Sequence, residues 1–165
     1  MGRFLAFILG VAGALIGSQG PEFTVQYMQN LQGRVDELRP IVEQFDSDLA
    51  RYDYTREQAL AECTTATQLL DALCDGYETT VRRFETLAAH LAELDGASDY
   101  VRPLILAKTQ MEDLTLSVYE QFQPAVPTTL IGASYAGGGF AVLWGGASFL
   151  FGILGAMFGG GRRYA

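Results

Sequence analysis

The sequence predicts an all-α protein: a membrane-anchored antiparallel helical bundle or coiled-coil hairpin with one transmembrane helix at each end. Three observations carry this. Residues 4–21 and 130–161 contain no charged side chain. All 19 acidic residues lie between Glu22 and Glu120, together with eight of the 11 basic ones. Between the two uncharged stretches, apolar residues recur at steps of three and four, the period of a helix face, and no run alternates as a strand does. The expected organisation is a transmembrane anchor over 1–21, an acidic extracytoplasmic helical domain over 22–127, a glycine-rich transmembrane segment over 128–161 and a basic cytoplasmic tail over 162–165.

The first apolar stretch follows Arg3 and is short against the ~20 residues that a bilayer requires, so it is expected either to thin the membrane or to continue helically into Phe23 and Tyr27. A signal peptide would share its pattern. However, Gly17-Ser18-Gln19-Gly20 lacks a good small-x-small cleavage site, and Pro21 disfavours cleavage after Gly20, so an uncleaved anchor is expected. Pro21 then marks the exit from the span. The carboxy-terminal run is too long for one untilted span and too short for two. Gly137-Gly138-Gly139 is expected to divide it, with a spanning helix around 140–158 and a kinked or interfacial approach from Leu130.

In the middle, Phe23, Tyr27, Leu31, Val35, Leu38, Val42, Phe45, Leu49 and Tyr52 form one stripe, with a kink or short break expected at Arg39 before Pro40. Tyr52-Asp53-Tyr54 reads as a turn. Thr55-Arg56-Glu57-Gln58 fits a capping box that opens a short helix ending near Cys63, and Thr64-Thr65 is the expected corner. A second seam follows in two rows, Leu70, Tyr77, Phe84 and Leu91 beside Leu73, Thr80, Leu87 and Leu94. Asp95-Gly96-Ala97-Ser98 stops it. One last helix, capped by Ser98 and carrying Val101, Leu104, Met111, Leu114, Val118 and Phe122, takes Pro103 in its first turn. Helices with one apolar stripe each must pack together, and a bundle or hairpin is the natural solution.

Charge excludes some functions. An acidic middle lacks the clustered cations that displace phosphate counterions, which argues against nucleic acid, and it argues equally against docking on an anionic leaflet. The tails are basic (Arg3, Arg162, Arg163). Because positive flanks tend to stay in the cytoplasm, both termini are expected there, with the acidic domain outside.

Two segments are distinctive: Gly17-Ser18-Gln19-Gly20-Pro21-Glu22-Phe23, followed by Gln26-Tyr27 and Val35-Asp36-Glu37-Leu38, and Phe122-Gln123-Pro124-Ala125-Val126-Pro127-Thr128 ahead of the glycine-rich run. With Phe45-Asp46 and Thr55-Arg56-Glu57-Gln58-Ala59-Leu60, they resemble a proteobacterial membrane-protein family classed only as a domain of unknown function. The resemblance spans nearly the whole chain, in order. It implies a bacterial inner-membrane protein with two anchors and supplies no activity, cofactor or catalytic residue. The chain departs from the family pattern at Gln123-Pro124, where Glu-Pro is usual. Physically, Gln19, Pro21, Phe23, Phe122, Pro124 and Pro127 are boundary residues: the prolines set exit angles, and Gln19 is placed to satisfy backbone groups freed beside Pro21 and Pro124.

No catalytic or metal constellation is legible. His90 is the only histidine and lies next to an apolar seam, and no Cys/His spacing suits zinc. The serines have no nucleophile elbow, and Gly137-Gly138-Gly139 lacks the lysine and strand of a phosphate loop. Neither enzyme nor cofactor is expected. Cys63 and Cys74 would be about 16 Å apart on one continuous helix, beyond disulfide reach. Three states stay open: an intramolecular disulfide that needs a corner between them, two buried thiols, or a bridge between subunits.

Gly10, Gly13 and Gly17, and Gly152, Gly155 and Gly159, supply small-xxx-small faces for close helix approach in lipid. Either the two spans pack on each other, or they dock on another membrane protein or a second copy. The expected partners are membrane lipids and another integral membrane protein or the chain itself. The function that fits is a non-enzymatic accessory or scaffold subunit of a larger membrane complex. The alternatives are a self-assembling ring or pore, and an extracytoplasmic lipid- or ligand-binding bundle.

Overall fold

The computed structural model describes residues 2–63 and 67–158. The expectations for Thr64-Thr65, Gly159 and the tail over 162–165 lie outside these residues. The described residues form six helices and no strand. They divide into two compact units, one of Met1–Gln26 with Asp99–Ala165 and the other Tyr27–Ser98.

α1 (Gly2–Arg51) is a single helix of 50 residues that contributes to both units, about 75 Å of rise. Pro21 lies inside it, the helix continuing through Phe23 and Tyr27, and the short break expected as one outcome before Pro40 is absent. An internal proline costs a helix about 3 kcal/mol. Near Pro40 that cost is offset by burial: Tyr27, Leu31, Val35 and Val42 are at most 2% exposed, and a break would forfeit several such side chains, each contributing about 1.5–3 kcal/mol. Near Pro21, which is itself buried, two side chains bond back to their own helix. Ser18 Oγ donates to Leu15 O (2.9 Å) and Thr24 Oγ1 to Gly20 O (2.8 Å).

In the second unit, α1 ends where the turn is expected. Tyr54 N–H donates to Leu49 O (3.1 Å) and Asp53 N–H to Ala50 O (3.3 Å), the paired bonds of a Schellman stop, with Asp53 in the left-handed region at φ 59°. The capping box forms: Thr55 N–H donates to Gln58 Oε1 (2.8 Å) and Gln58 N–H to Thr55 Oγ1 (3.3 Å). It opens α2 (Arg56–Cys63), which buries no residue. α3 (Gln68–Asp95) passes through Gly76 without a break and buries Val81, Leu87, His90 and Leu94. Pairs that join α1 to α3 include Tyr27 with His90, Arg39 over the Phe84 ring at 5.7 Å, and Phe45 stacked on Tyr77. Partner numbers fall along α3 as they rise along α1.

In the first unit, the expected single helix from Ser98 to Phe122 is instead two, α4 (Arg102–Thr109) and α5 (Glu112–Gln121). Pro103 sits in the first turn of α4, as expected, but the cap is Val101 and not Ser98. The break falls at Gln110-Met111. Glu112 and Asp113 follow it directly, and carboxylates favour the positive end of a helix macrodipole, so these residues start a helix better than they continue one. Leu106, Leu114 and Val118 are buried.

α6 (Leu130–Phe158) is one helix of 29 residues, about 43 Å long. The triple glycine does not divide it. Glycine costs a helix about 1 kcal/mol per residue, too little to interrupt so long a ladder. Thr129 caps it, with Gly132 N–H donating to Thr129 Oγ1 at 3.0 Å. Only 6% of its most apolar stretch is buried, against 28% for that of α1. Val142, Phe149 and Met157 on α6, and Phe4 and Ile16 on α1, are each 69–72% exposed. Both helices are long and apolar enough to cross a membrane.

Candidate functional site

In the first unit, glycines bring α1 and α6 together. A Cβ built on Gly13 would collide with the Gly139 carbonyl oxygen, and one built on Gly139 with that of Gly13. Backbone therefore meets backbone, an approach that only glycine allows. Gly17 lies against the backbone of Tyr135 and Gly139, and Gly10 against Phe140 and Trp144, where an added Cβ would come within 2.7 Å and 2.9 Å. Nearer the start of α1, Gly2 faces Phe151. Phe7 packs edge-on against Phe140 with centroids 5.9 Å apart.

Beyond this crossing, two glutamines grip an extended segment. Gln19 Nε2 donates to Ala125 O (3.3 Å), and Gln19 Oε1 accepts from Ala125 N–H (3.2 Å). Gln26, two helical turns on, does the same to Gln123: Nε2 donates to its carbonyl at 3.1 Å, and Oε1 accepts from its N–H at 3.3 Å. Phe23 lies between them along the helix and meets Phe122, with ring centroids 5.6 Å apart. The sequence explains why this segment is the one gripped. Pro124 and Pro127 push Gln123 and Val126 into extended backbone. Pro124 has no N–H of its own, so the amides on either side of it, Gln123 and Ala125, are the ones held. Pro127 also covers Gly132, where an added Cβ would lie 2.8 Å from the proline Cβ.

The clamp yields a local prediction. Gln26→Ala should raise amide exchange at Gln123, and Gln19→Ala that at Ala125, each about fivefold, for a net hydrogen-bond contribution of about 1 kcal/mol. Gln19→Glu should lose the bond to Ala125 O, because a carboxylate cannot donate. Hydrogen exchange of peptides over 122–128, read by mass spectrometry, checks all three.

An apolar cleft of about 360 Å3 opens beside the clamp, lined by Phe23, Pro103, Leu106 and Phe122, with Gln19 and Gln110 as polar groups.

The second unit carries a charged knot. Arg56 Nε donates to Asp46 Oδ1 (2.6 Å), one terminal nitrogen donates to Asp46 Oδ2, and the other reaches Glu85 Oε1 (2.9 Å). One guanidinium thus ties α1, α2 and α3 together, and its fork geometry suits two carboxylates. The bonds from Arg56 hold the Asp46 carboxyl below its ordinary range. Burial pushes the Tyr77 hydroxyl up to about 12, and that hydroxyl makes no hydrogen bond among the described residues. Because the folded pKa of Asp46 is depressed, its contribution to stability is present above the unfolded value of about 3.9 and is lost as pH falls through the folded one. Asp46→Asn should therefore flatten the loss of stability below about pH 4 in acid titrations followed by circular dichroism.

Cys63 and Cys74 are joined by a disulfide, with Cα atoms 6.1 Å apart. It links α2 to α3. His90 is buried at 6% exposure; its Nε2 shares a 3.1 Å hydrogen bond with the Tyr27 hydroxyl, and its Nδ1 lies 3.6 Å from Glu93 Oε2.

Of the residues singled out from sequence, Gly10, Gly13 and Gly17 lie in the contact with α6. Gln19, Phe23, Phe122 and the segment of Pro124 and Pro127 meet at the clamp, and Pro21 is buried within α1. Gly152 and Gly155 face open space. Sequence reasoning missed Gln26 as a clamp, although its spacing of seven from Gln19 was the available signal. It also missed the Arg56 knot, whose members are scattered over 46, 56 and 85.

These features define an all-helical protein with two apolar helices, joined at a glycine crossing and locked by a glutamine clamp. A family model of proteins of unknown function, DUF2937, matches residues 1–160. The chain belongs to that family. No curated protein and no solved structure matches it. Gln26 grips Gln123 through its backbone, so the hold does not depend on the side chain at that position.

Proposed function

We propose that this is a bacterial inner-membrane protein that works without catalysis, as an accessory or scaffold subunit of a larger membrane complex. The observation that carries the reading is the exposure of α6: a helix this apolar with 6% of its most apolar stretch buried needs lipid or a partner around it. α1 up to Gly20 and α6 then cross the bilayer, with both termini cytoplasmic. The Tyr27–Ser98 unit forms an antiparallel helical hairpin on the far side. The disulfide supports that side, because such bonds persist outside the reducing cytoplasm. The contacts of the first unit are packing and amide bonds, which suit holding rather than turnover. Purification at native expression in mild detergent, with mass spectrometry, tests the reading: one stoichiometric partner is expected, and none would overturn it.

A second reading is self-assembly, and one feature favours it. Gly138, Gly145 and Gly152 recur every seven residues on α6, and an added Cβ at each would meet nothing within 4 Å. A second copy could approach closely there. Particle mass in nanodiscs decides: a defined oligomer supports it, and monomers alone exclude it.

A further inference from the structure

Where α1 begins, a cavity of about 800 Å3 opens between it and α6, lined by Gly2, Arg3, Trp144, Ser148, Phe151 and Gly152. That size lies within the ~300–1,000 Å3 of ordinary ligand pockets. Gly2 faces Phe151, which sets the register of the two helices there. From that level the cavity reaches Trp144, seven residues back along α6, or about 10 Å. Its two ends differ in chemistry: one carries the Arg3 guanidinium, the other the Trp144 indole. Arg3 is not explained by its own helix, because a cation in the first turn opposes the macrodipole. No acidic residue lies in α6, and the first along α1 is Glu22, about 28 Å up the helix. Neither apolar helix therefore supplies a counter-anion. Ser148 is also uncommitted. Ser134 Oγ donates back to Leu130 O at 2.8 Å, whereas Ser148 makes no hydrogen bond among the described residues.

We infer that this cavity holds one anionic phospholipid, its phosphate on Arg3 and Ser148 and its glycerol and upper chains along Trp144 and Phe151. The guanidinium fork suits a phosphate, and basic pockets between spanning helices seat such headgroups. A soluble anion would leave the aromatic wall uncovered, and a neutral lipid would leave Arg3 unanswered; an anionic phospholipid meets both. A second copy of this chain is a poor occupant, because it would bring either another Arg3 or an uncharged helix face. The acidic residues begin at Glu22, so their repulsion of an anionic leaflet acts at the far end of the apolar helices. The inference rests on the reading that α1 and α6 cross the bilayer, and it names a lipid neighbour in addition to any protein partner.

The test is native mass spectrometry of the full chain in nonionic detergent, titrated with dioleoyl phosphatidylglycerol or dioleoyl phosphatidylcholine. One phosphatidylglycerol should be retained, about tenfold more tightly than phosphatidylcholine. Arg3→Gln should abolish that preference, and Arg3→Lys should keep part of it. Gly152→Phe should fill the cavity and weaken both lipids alike. An added Cβ at Gly152 meets nothing within 4 Å and Arg3 is exposed, so folding should be retained, as unchanged far-ultraviolet circular dichroism would verify. Glycerol 3-phosphate, a headgroup without chains, should not displace the lipid. Equal affinity for the two lipids overturns the inference, as does a preference that survives Arg3→Gln. Displacement by glycerol 3-phosphate would give the site to a soluble anion, and a lipid-free dimer would give it to a second copy; either overturns it too. Flotation with phosphatidylcholine vesicles separates the two levels. A chain that floats but shows no preference loses the lipid site alone, and one that does not float loses the membrane reading with it.

Discussion

Leucine at position 13 should drive α1 and α6 apart and lower the stability of the pair by at least about 1–3 kcal/mol, the usual cost of overpacking. Where the obstacle is a flexible side chain, a new Cβ can be accommodated by rotation. At Gly13 the obstacle is the backbone carbonyl of Gly139, and only a shift of a whole helix relieves it. Gly139→Leu should behave alike. Gly137→Leu provides the control, because a Cβ there meets nothing within 4 Å. A built-in ruler is available: a Cβ on Gly2 would lie 3.5 Å from that of Phe151, within the separation that a disulfide spans. Gly2→Cys with Phe151→Cys should therefore cross-link readily in the parent and in the Gly137→Leu background, and poorly with Gly13→Leu. Equal cross-linking and equal melting in all three would refute the crossing.

The second large effect is expected at the disulfide. A bond closing a loop of this length contributes about 2–4 kcal/mol in typical cases, and here most of it should act locally. α2 has no buried residue, so once Cys63 and Cys74 are separated its polar ties include the Arg56 knot and the bond from the Tyr54 hydroxyl to Glu62. Reduction, or Cys63→Ser with Cys74→Ser, should raise the opening of α2 by about 30-fold to 1,000-fold. Trypsin cleavage after Arg56 reads this directly, because the scissile segment must leave the helix to be cut. The core pairs Tyr27–His90 and Arg39–Phe84 should persist, leaving the global melting transition less affected than the proteolysis. Unchanged cleavage after reduction would show that α2 is held by its polar contacts alone.

What could be read from sequence was local. The capping box needs only Thr55 and Gln58, three residues apart, and both of its bonds form. The stripe of Leu31, Val35 and Val42 follows from spacing alone, and these residues are buried. At Pro40 the local cost is real, and the short break that it allows is absent because the burial that outweighs it belongs to tertiary structure. The rows headed by Leu70 and Leu73 were read correctly as apolar faces, but periodicity cannot tell a covered face from an open one. Likewise, Gln19 could be assigned to satisfying backbone near Pro124, but its pairing with Gln26 across 97 and 106 residues has no local signature. Arg56 is one arginine among many until Asp46 and Glu85 are brought to it.

The long span of the glutamine clamp has a consequence in time. A chain emerges from the ribosome at ~5–20 residues per second, and 106 residues separate Gln19 from Ala125. The amide of Gln19 therefore waits roughly 5–20 s for its partner to be made. The glycine groove of α1 waits longer still, for Gly139. During that interval the newborn helix carries a bare notch and two unanswered carboxamides, and anything with a slender helix or an extended strand can occupy them first. A helper that covers the notch and then yields it to α6 would have its greatest effect in those seconds, and a message truncated before residue 125 would leave the notch open for good.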